Sequence, residues 1–201
     1  MKNPPPLLIL ASSSPYRAEL LRRLGLGFSC LAPGVDESPL AQEAPQAQVE
    51  RLSQLKASAV RASLSADPKA KSAVVIGSDQ LCACHGQPLG KPLTPARAVA
   101  QLTQLAGHTV DFYTGWCVQS AEQQWHGVDH TQVTLRRLSA REIARYVELE
   151  QPLDCAGSFK AEGLGVCLFD AIHSQDPTAL IGLPLIAVAA ALRAAGLDPL
   201  A

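Results

Sequence analysis

The segment LLILASSSPYR at residues 7–17 decides the fold at the start of the chain. Its apolar run predicts a buried strand and its serines a polar loop. Pro15 suits the first position of a following helix, where the missing N–H is no loss. Free backbone N–H groups at such a helix start, with the hydroxyls of Ser12 and Ser14 and the charge of Arg17, favour an anion, most obviously phosphate. The alternative is that Ser14 only caps the helix.

Outward from this segment, strand and helix patterns alternate along the chain. Apolar and alternating runs predict strands at residues 7–11, 28–31, 73–76, 109–118, 128–135 and 166–172. Helical spacing and capping residues predict helices at residues 17–25, 46–64, 94–105, 139–149 and 183–195. Together they predict an α/β protein with a mixed sheet. The polar connector at residues 63–72 is too short to separate domains, so we expect one domain over residues 1–201, with two lobes as an option.

Composition excludes several classes of function. Lysine plus arginine number 17 against 18 acidic residues, so the chain lacks the basic field that long nucleic acid requires, although a small phosphorylated ligand needs only a local cluster. No apolar run is long enough to span a membrane, and Pro4, Pro5 and Pro6 interrupt the N-terminal one. The six cysteines lack zinc-site spacing, which favours buried or half-buried free thiols in a reducing compartment. We therefore expect a cytoplasmic protein.

Two acidic residues are candidates for chemistry. Asp79 is expected at the end of the strand at residues 73–76, where ligands of open α/β sheets collect. Gly77 would let another group approach that backbone closely. A carboxylate there can hold a divalent metal or accept a proton from water, and Glu37 could complete a site for magnesium or manganese. The alternatives are a turn aspartate and a solvated loop glutamate.

Other polar residues give weaker signals. Lys56 and Lys91 could each neutralise phosphate, but an isolated lysine is more often a surface residue. His126 and His130 lie in a predicted strand and are interpreted as surface residues. The glycine-punctuated segment at residues 155–165 is typical of a binding loop, in which Lys160 and Glu162 share one side if the chain is extended.

The ordered set of motifs resembles the Maf family of nucleoside triphosphate pyrophosphatases. The matching segments are residues 8–17, 35–37, 56–57, 77–80, 90–92, 156–163 and 182–184. They follow the family order over nearly the whole chain. The resemblance implies the inosine-triphosphatase-like fold, elongated with a central cleft. It also implies a small-molecule nucleotide substrate, a divalent cation (Mg²⁺ or Mn²⁺), and attack of water that leaves a nucleoside monophosphate and pyrophosphate.

The resemblance also implies roles for individual residues. Asp79 would be the catalytic proton acceptor or a metal ligand, and Glu37 would help to hold the metal. The residues expected to bind phosphate are Ser12, Ser14, Arg17, Lys56, Lys91 and Lys160.

Three departures from the commonest family motifs define a branch. Tyr16 replaces an arginine, Gln80 replaces a threonine, and Glu162 replaces a glutamine, a combination that resembles the branch hydrolysing 7-methyl-GTP. The 7-methylguanine base is cationic, so an aromatic ring attracts it by about 0.5–2 kcal/mol where an arginine would repel it. A glutamate can accept hydrogen bonds from guanine N–H groups. Cys155 replaces a loop lysine, whose charge Lys160 is expected to restore.

Two alternatives stay open. One is a pyrophosphatase directed at dTTP and UTP or at a broad range of nucleotides. The other is a nucleotide-binding regulator of cell division that needs no turnover, although a pure sensor need not keep Asp79, Glu37 and both lysines. A homodimer is considered, but the sequence carries no interface signal.

Overall fold

A computed structural model describes residues 6–64 and 72–201 of the chain. Within these ranges the strands are β1 (Leu8–Ala11), β2 (Ser29–Cys30), β3 (Val74–Cys84), β4 (Gln87–Leu89), β5 (Thr109–Gln119), β6 (Gln124–Leu135) and β7 (Phe169–His173). The helices are α1 (Pro15–Arg22), α2 (Pro45–Ser63), α3 (Pro95–Leu105), α4 (Ala140–Glu150) and α5 (Leu185–Ala194).

The described strands form one mixed sheet. Its order is β2-β1-β3-β5-β6-β7, with β4 paired to β3. Strand β1 is parallel to both β2 and β3, whereas β4 and β7 pair antiparallel to β3 and β6. The predicted mixed-sheet α/β class is therefore confirmed, while the elongated outline and central cleft stay predictions.

The chain divides into two compact units. The first comprises the described parts of Met1–Gln80, Thr114–Asp129 and Asp176–Ala201, and the second comprises Leu81–Tyr113 and His130–Gln175. Strands β3, β5 and β6 run from one unit into the other. That the whole chain acts as one domain stays a prediction.

In the first unit, β1 and β3 are buried on both faces. Leu10 and Ile76 pack into a cluster with Leu20 of α1 and Leu192 of α5. The alternate residues of the same strands pack on the other face against α2, where Ala57 and Val60 belong to the cluster. Burial on both faces explains why these strands read as continuous apolar runs and not as alternating ones.

Helix α2 lies unusually close to the sheet because two strand residues are glycines. A Cβ on Gly77 of β3 would lie 2.1 Å from the Ser53 carbonyl oxygen, and one on Gly115 of β5 would lie 2.1 Å from the Val49 carbonyl oxygen. Backbone thus packs directly on backbone, as predicted for Gly77. The contact fixes the height of α2, and of Lys56 on it, above β3.

In the second unit, α3 and α4 pack together, and Phe159 contacts two other aromatic rings. Its ring centroid lies 5.3 Å from that of Phe112 and 4.8 Å from that of Phe169. Helix α4 begins with the predicted capping box, in which Ser139 and Glu142 each bond the other's backbone N–H.

Several predicted boundaries were wrong: α1 covers Pro15–Arg22 and not residues 17–25, and β6 begins at Gln124 and not at residue 128. The boundaries of β3 and β7 differ as well. Strand β3 does not end before Asp79 but continues to Cys84, because Cys82–Cys84 pairs with β4. Only the parallel pairing with β1 ends there, at the Ala11–Gly77 pair. Strand β7 begins at Phe169, since residues 164–168 form a 3-10 turn. The predicted connector falls mostly on residues 65–71, and the N-terminal prolines partly on residues 1–5; both ranges lie outside the described residues.

All six cysteines are free thiols, as predicted. Cys30 and Cys167 are exposed, however, which corrects the expectation that all are at least half-buried. In the part of the chain that the structure describes, no helix is long and apolar enough to cross a membrane.

We expect Gly77→Ala to destabilise the protein by about 1–3 kcal/mol, because the added methyl group overlaps the Ser53 carbonyl of α2. Urea denaturation measures the change. Gly27→Ala is the matched control, since a Cβ at Gly27 meets no atom within 4 Å among the described residues. Equal stability of the two variants would contradict the close packing of α2 on β3.

Candidate active site

A buried lysine joins the two candidate carboxylates. Lys56 Nζ donates to Asp79 Oδ1 at 2.7 Å and to Glu37 Oε2 at 2.8 Å. Lys56 and Asp79 are 4% and 8% exposed, whereas the Glu37 side chain is 54% exposed. The structure thus brings together three residues that are distant in sequence. The interpretation of Lys56 as an isolated surface residue is wrong.

Arg17 belongs to the same cluster. Its Nε donates to the Gly182 carbonyl oxygen at 2.9 Å, and its Nη1 lies 3.4 Å from Ser12 Oγ. Desolvation lowers the pKa of Arg17 from its ordinary value, and the nearby carboxylates of Asp79 and Glu37 act in the opposite direction. Two cations and two carboxylates therefore balance one another in this part of the first unit.

The serine loop forms the helix start that the sequence predicts. Ser14 caps α1, with its Oγ accepting from the Arg17 N–H at 3.4 Å, and Pro15 occupies the first turn. Ser12 is buried, and its Oγ accepts from the Ser14 N–H at 3.1 Å. Tyr16 is half-buried on the first turn of α1. The capping role of Ser14 is confirmed, and the anion role of the loop stays a prediction.

A C-terminal segment, residues 176–183, organises this site through backbone carbonyls, which the sequence did not reveal. The Gly182 carbonyl also accepts from Ser78 Oγ at 2.9 Å. The side-chain amide of Gln80 donates to Thr114 Oγ1 and to the carbonyls of Ala179 and Leu180 at 2.9–3.0 Å. Gly182 was part of a matched motif, which was the only available signal.

Segment 176–183 is itself held by buried Asp176. Its Oδ1 accepts from Thr178 Oγ1 at 2.6 Å, and its Oδ2 accepts from the Ile186 N–H at 2.7 Å. Thr178 Oγ1 accepts from the Leu185 N–H at 2.8 Å. Asp176 therefore stabilises the start of α5, whose own N-cap is a proline without a side-chain cap.

The loop that carries Glu37 is fixed by an ion pair that the sequence did not reveal either. Arg51 of α2 contacts both carboxylate oxygens of Glu43 at 2.6 Å, and its Nη2 donates to the Ser38 carbonyl at 3.3 Å. The same carboxylate accepts from the Leu40 N–H at 3.0 Å. This Arg51–Glu43 clamp ties the Glu37 loop to the helix that carries Lys56.

The remaining predicted site residues lie in the second unit. Lys91 and Glu162 are exposed. Lys160 Nζ donates to the Glu150 carbonyl at 3.1 Å and lies 3.6 Å from Glu150 Oε1. The segment is a turn closed by the Gly163 and Gly165 N–H groups on the Lys160 carbonyl. The condition under which Lys160 and Glu162 would share one side, an extended segment, is therefore not met.

The two histidines bind separate carboxylates. His126 Nδ1 lies 3.0 Å from Glu50 Oε1, and His130 Nε2 lies 2.8 Å from Asp111 Oδ1. No group of three metal-ligating His, Cys, Asp or Glu side chains occurs within residues 6–64 and 72–201.

Glu37 and Asp79 are two carboxylates that could hold a divalent cation together with ligands from outside the protein. Because both carboxylates bond the same lysine nitrogen, they lie close to each other. Each carboxylate has one oxygen without a hydrogen-bond donor among the described residues. Magnesium is commonly held by one or two carboxylates together with substrate phosphates and water.

Fold and site together define a mixed α/β protein in which a serine loop, two cations and two carboxylates are suited to a phosphate ligand with a metal ion. The chain belongs to the Maf family: the family described as "Maf-like protein" matches residues 7–195. The resemblance drawn from the motifs is confirmed.

Curated relatives named 7-methyl-GTP pyrophosphatase match nearly the whole chain. One from Xanthomonas oryzae pv. oryzae (strain MAFF 311018) is 54% identical over 191 residues, which cover 95% of this chain and 97% of the relative. One from Idiomarina loihiensis is 48% identical and covers 96% of each chain. One from Cupriavidus metallidurans is 50% identical, covering 95% of this chain and 94% of the relative.

One solved structure, "The structure of the Staphylococcus aureus Ham1 protein", matches with a TM-score of 0.45 and 11% identity. The match covers 79% of this chain and 88% of that chain.

We expect the Arg51–Glu43 clamp to make stability depend on pH. The hydrogen bond from Arg51 lowers the pKa of Glu43 from 4.5 to about 2. The unfolded chain therefore binds more protons between these values, and the stabilisation is complete above the higher value and lost as the pH falls towards 2. Urea denaturation of wild type and Glu43→Gln at several pH values checks this: their difference should shrink in that window. In an Arg51→Met background most of this difference should disappear, and only the smaller part due to the Leu40 N–H should remain. A difference of undiminished size there would contradict the clamp.

Proposed function

We propose that this protein is a nucleoside triphosphate pyrophosphatase that hydrolyses 7-methyl-GTP to 7-methyl-GMP and pyrophosphate, and so clears a modified nucleotide from the pool. The relatives with this name support it over nearly the full length of the chain. The observation that carries the proposal is the Glu37–Lys56–Asp79 cluster beside the serine loop, because it joins a base, a cation and a candidate metal site.

Asp79 is the proposed proton acceptor for the attacking water. Lys56 holds Oδ1, while Oδ2 has no donor among the described residues and can take the proton. Lys56 in turn is fixed by α2, whose backbone rests on Gly77. The cluster therefore orients the carboxylate before substrate arrives. The water attacks the α-phosphorus and pyrophosphate leaves, so the bond between the α-phosphorus and its bridging oxygen breaks.

The triphosphate is proposed to lie on the serine loop. Ser12 and Ser14 offer hydroxyls, and Arg17 offers a guanidinium that Gly182 already orients. Charge developing in the transition state would be stabilised by Arg17 and Lys56. Lys91 in the second unit is a further proposed phosphate ligand, whereas Lys160 is already engaged by Glu150 and has another role argued below.

The base is proposed to be recognised by Tyr16, Gln80 and Glu162. The Tyr16 ring would stack on the cationic 7-methylguanine, and Glu162 would accept hydrogen bonds from the guanine N–H groups. Gln80 contributes from a fixed position, since its amide nitrogen is held by three acceptors.

The proposed cofactor is Mg²⁺ or Mn²⁺, held by Glu37 with substrate oxygens. Asp79 would be a second metal ligand in the alternative in which it orients the water and does not accept its proton. Such an ion would neutralise phosphate charge and lower the pKa of a bound water. The free thiols accord with the proposed cytoplasmic location. A homodimer stays a proposal without a structural argument.

We expect Asp79→Asn to lower kcat by on the order of 10²–10⁴-fold with Mg²⁺ present, because the amide cannot accept the proton. The assay supplies 7-methyl-GTP, GTP, UTP and dTTP and detects monophosphate and pyrophosphate. Wild type should favour 7-methyl-GTP and lose activity in a chelator. Asp198→Asn, at an exposed C-terminal site, is the control. Unchanged pyrophosphate release by Asp79→Asn would refute the mechanism.

We expect Tyr16→Arg combined with Glu162→Gln to lower the preference for 7-methyl-GTP over GTP by on the order of tenfold or more. The first change adds a positive charge near the cationic base, and the second removes a negative charge that attracts it. The kcat/KM ratio for the two substrates measures it. Tyr16→Phe keeps the ring and should keep the ratio. An unchanged ratio of kcat/KM values in the double variant would contradict recognition of the base by a cation–π interaction.

A further inference from the structure

We propose that Glu150, together with Tyr146 and Lys160, is a positioning residue that holds the turn at residues 160–165 in the shape in which Glu162 recognises the base. The inference rests on the proposed function, because the role of Glu162 is part of it. Lys160 would then stabilise this turn instead of binding phosphate.

The last turn of α4 grips the Glu162 turn through Glu150. Glu150 Oε2 accepts from the Leu164 N–H at 2.7 Å, so it bonds the backbone on the far side of Glu162. On the near side, Lys160 Nζ donates to the Glu150 carbonyl at 3.1 Å and lies 3.6 Å from Glu150 Oε1. One residue therefore holds both ends of the turn. The side chains of Glu150 and Lys160 are only 16% and 19% exposed, which strengthens these charged contacts.

Tyr146, one turn earlier on α4, adds a third contact. Its buried hydroxyl accepts from the Lys160 N–H at 3.0 Å. Burial is the main cause that raises the pKa of Tyr146, and the nearby carboxylates of Glu150 and Glu162 also raise it. The Glu162 carboxylate thus lies close to the residues that hold its turn.

Two glycines leave room for this grip. A Cβ on Gly163 would lie 2.7 Å from Glu150 Oε2, and a Cβ on Gly165 would lie 2.1 Å from the Lys160 carbonyl oxygen. The Lys160 carbonyl accepts from the N–H groups of both glycines, at 3.3 and 3.1 Å. The turn is therefore closed on itself and packed against α4, which is the construction expected of a preorganised contact.

Glu150 and Glu162 differ in whether a cation of the protein lies beside them. Lys160 compensates Glu150, and no described residue forms a hydrogen bond or ion pair with the exposed Glu162 side chain. Glu162 is thus the carboxylate that remains for a cationic partner. Without the hydrogen bonds to Glu150, the turn would be less ordered. Ordering it on binding would then cost conformational entropy and weaken the interaction of Glu162 with the base.

The test compares kcat/KM for 7-methyl-GTP with that for GTP in wild type, Glu150→Ala, Glu150→Gln and Tyr146→Phe. The ratio is unaffected by the fraction of folded enzyme, so a merely structural defect would not move it. We expect Glu150→Ala to lower the ratio about fivefold or more. Glu150→Gln, whose amide oxygen can still accept from Leu164, should recover part of the loss, and Tyr146→Phe should lose less than Glu150→Ala.

Glu148→Ala is the matched control. It removes the same charge from the same helix, but its carboxylate is exposed and paired with Arg145. We expect its ratio to stay within about twofold of wild type, since exposed ion pairs contribute little. A Glu148→Ala loss equal to that of Glu150→Ala would mean a long-range charge effect and would overturn the proposal.

A double substitution decides whether Glu150 acts through Glu162. In a Glu162→Gln background, Glu150→Ala should lower the ratio no further; a full additional loss would overturn the proposal. The proposal would also be overturned if Glu162→Gln lowered the ratio of kcat/KM values while Glu150→Ala left it unchanged. A wild-type ratio near one would refute the proposed function instead. Amide exchange at Leu164, faster in Glu150→Ala if the grip exists, tests the grip independently of activity.

Discussion

The candidate site depends on the packing of helix α2 directly on the backbone of β3. Because Gly77 and Gly115 carry no side chains, the helix comes close enough for Lys56 to reach Asp79 under cover of the fold. A buried ammonium group is costly unless it is paired, and here Asp79 and Glu37 pair it. The position of Lys56 therefore depends on the glycines, and the charge of Asp79 depends on Lys56. A side chain at residue 77 would shift the lysine, and loss of the lysine would leave the Asp79 carboxylate buried without its partner.

Around this contact, the chain uses local clamps to hold each polar group in place. Arg51 and Glu43 fix the loop of Glu37, Asp176 fixes the segment that orients Arg17, and Glu150 fixes the turn of Glu162. None of these three clamps is among the residues proposed to touch substrate. Groups held in this way need little rearrangement when a ligand binds, which is the property on which electrostatic catalysis relies.

The sequence allowed the elements of the fold to be predicted where a local rule governs them. Helical periodicity gave α2, and capping chemistry gave the starts of α1 and α4. The end of β3 was misplaced because the polar run Ser78-Asp79-Gln80 resembles a loop, whereas its continuation depends on pairing with β4. The substrate, 7-methyl-GTP, was predicted from the family motifs, because rules for local structure carry no information on the substrate.

The clamps could not be predicted for the same reason. Arg51 and Glu43 face each other across a loop whose path follows from its docking on α2, and Glu150 meets Leu164 only after the turn has closed. The segment at residues 155–165 was correctly interpreted as a loop, but its turn at residues 160–165 was not predicted. Its glycines were the available signal, and they permit close approach without naming the approaching group.

The carbonyl of Gly182 has a consequence for the time at which the enzyme becomes complete. It accepts from Arg17 of α1 and from Ser78 of β3, so it joins residues from the beginning, the middle and the end of the chain. During synthesis, the first two emerge from the ribosome long before the third. In a nascent chain, the Arg17 guanidinium therefore has no Gly182 carbonyl to orient it until the segment before α5 has been made and has folded. This orienting contact spans 165 residues, so it depends on a segment that is made long after Arg17.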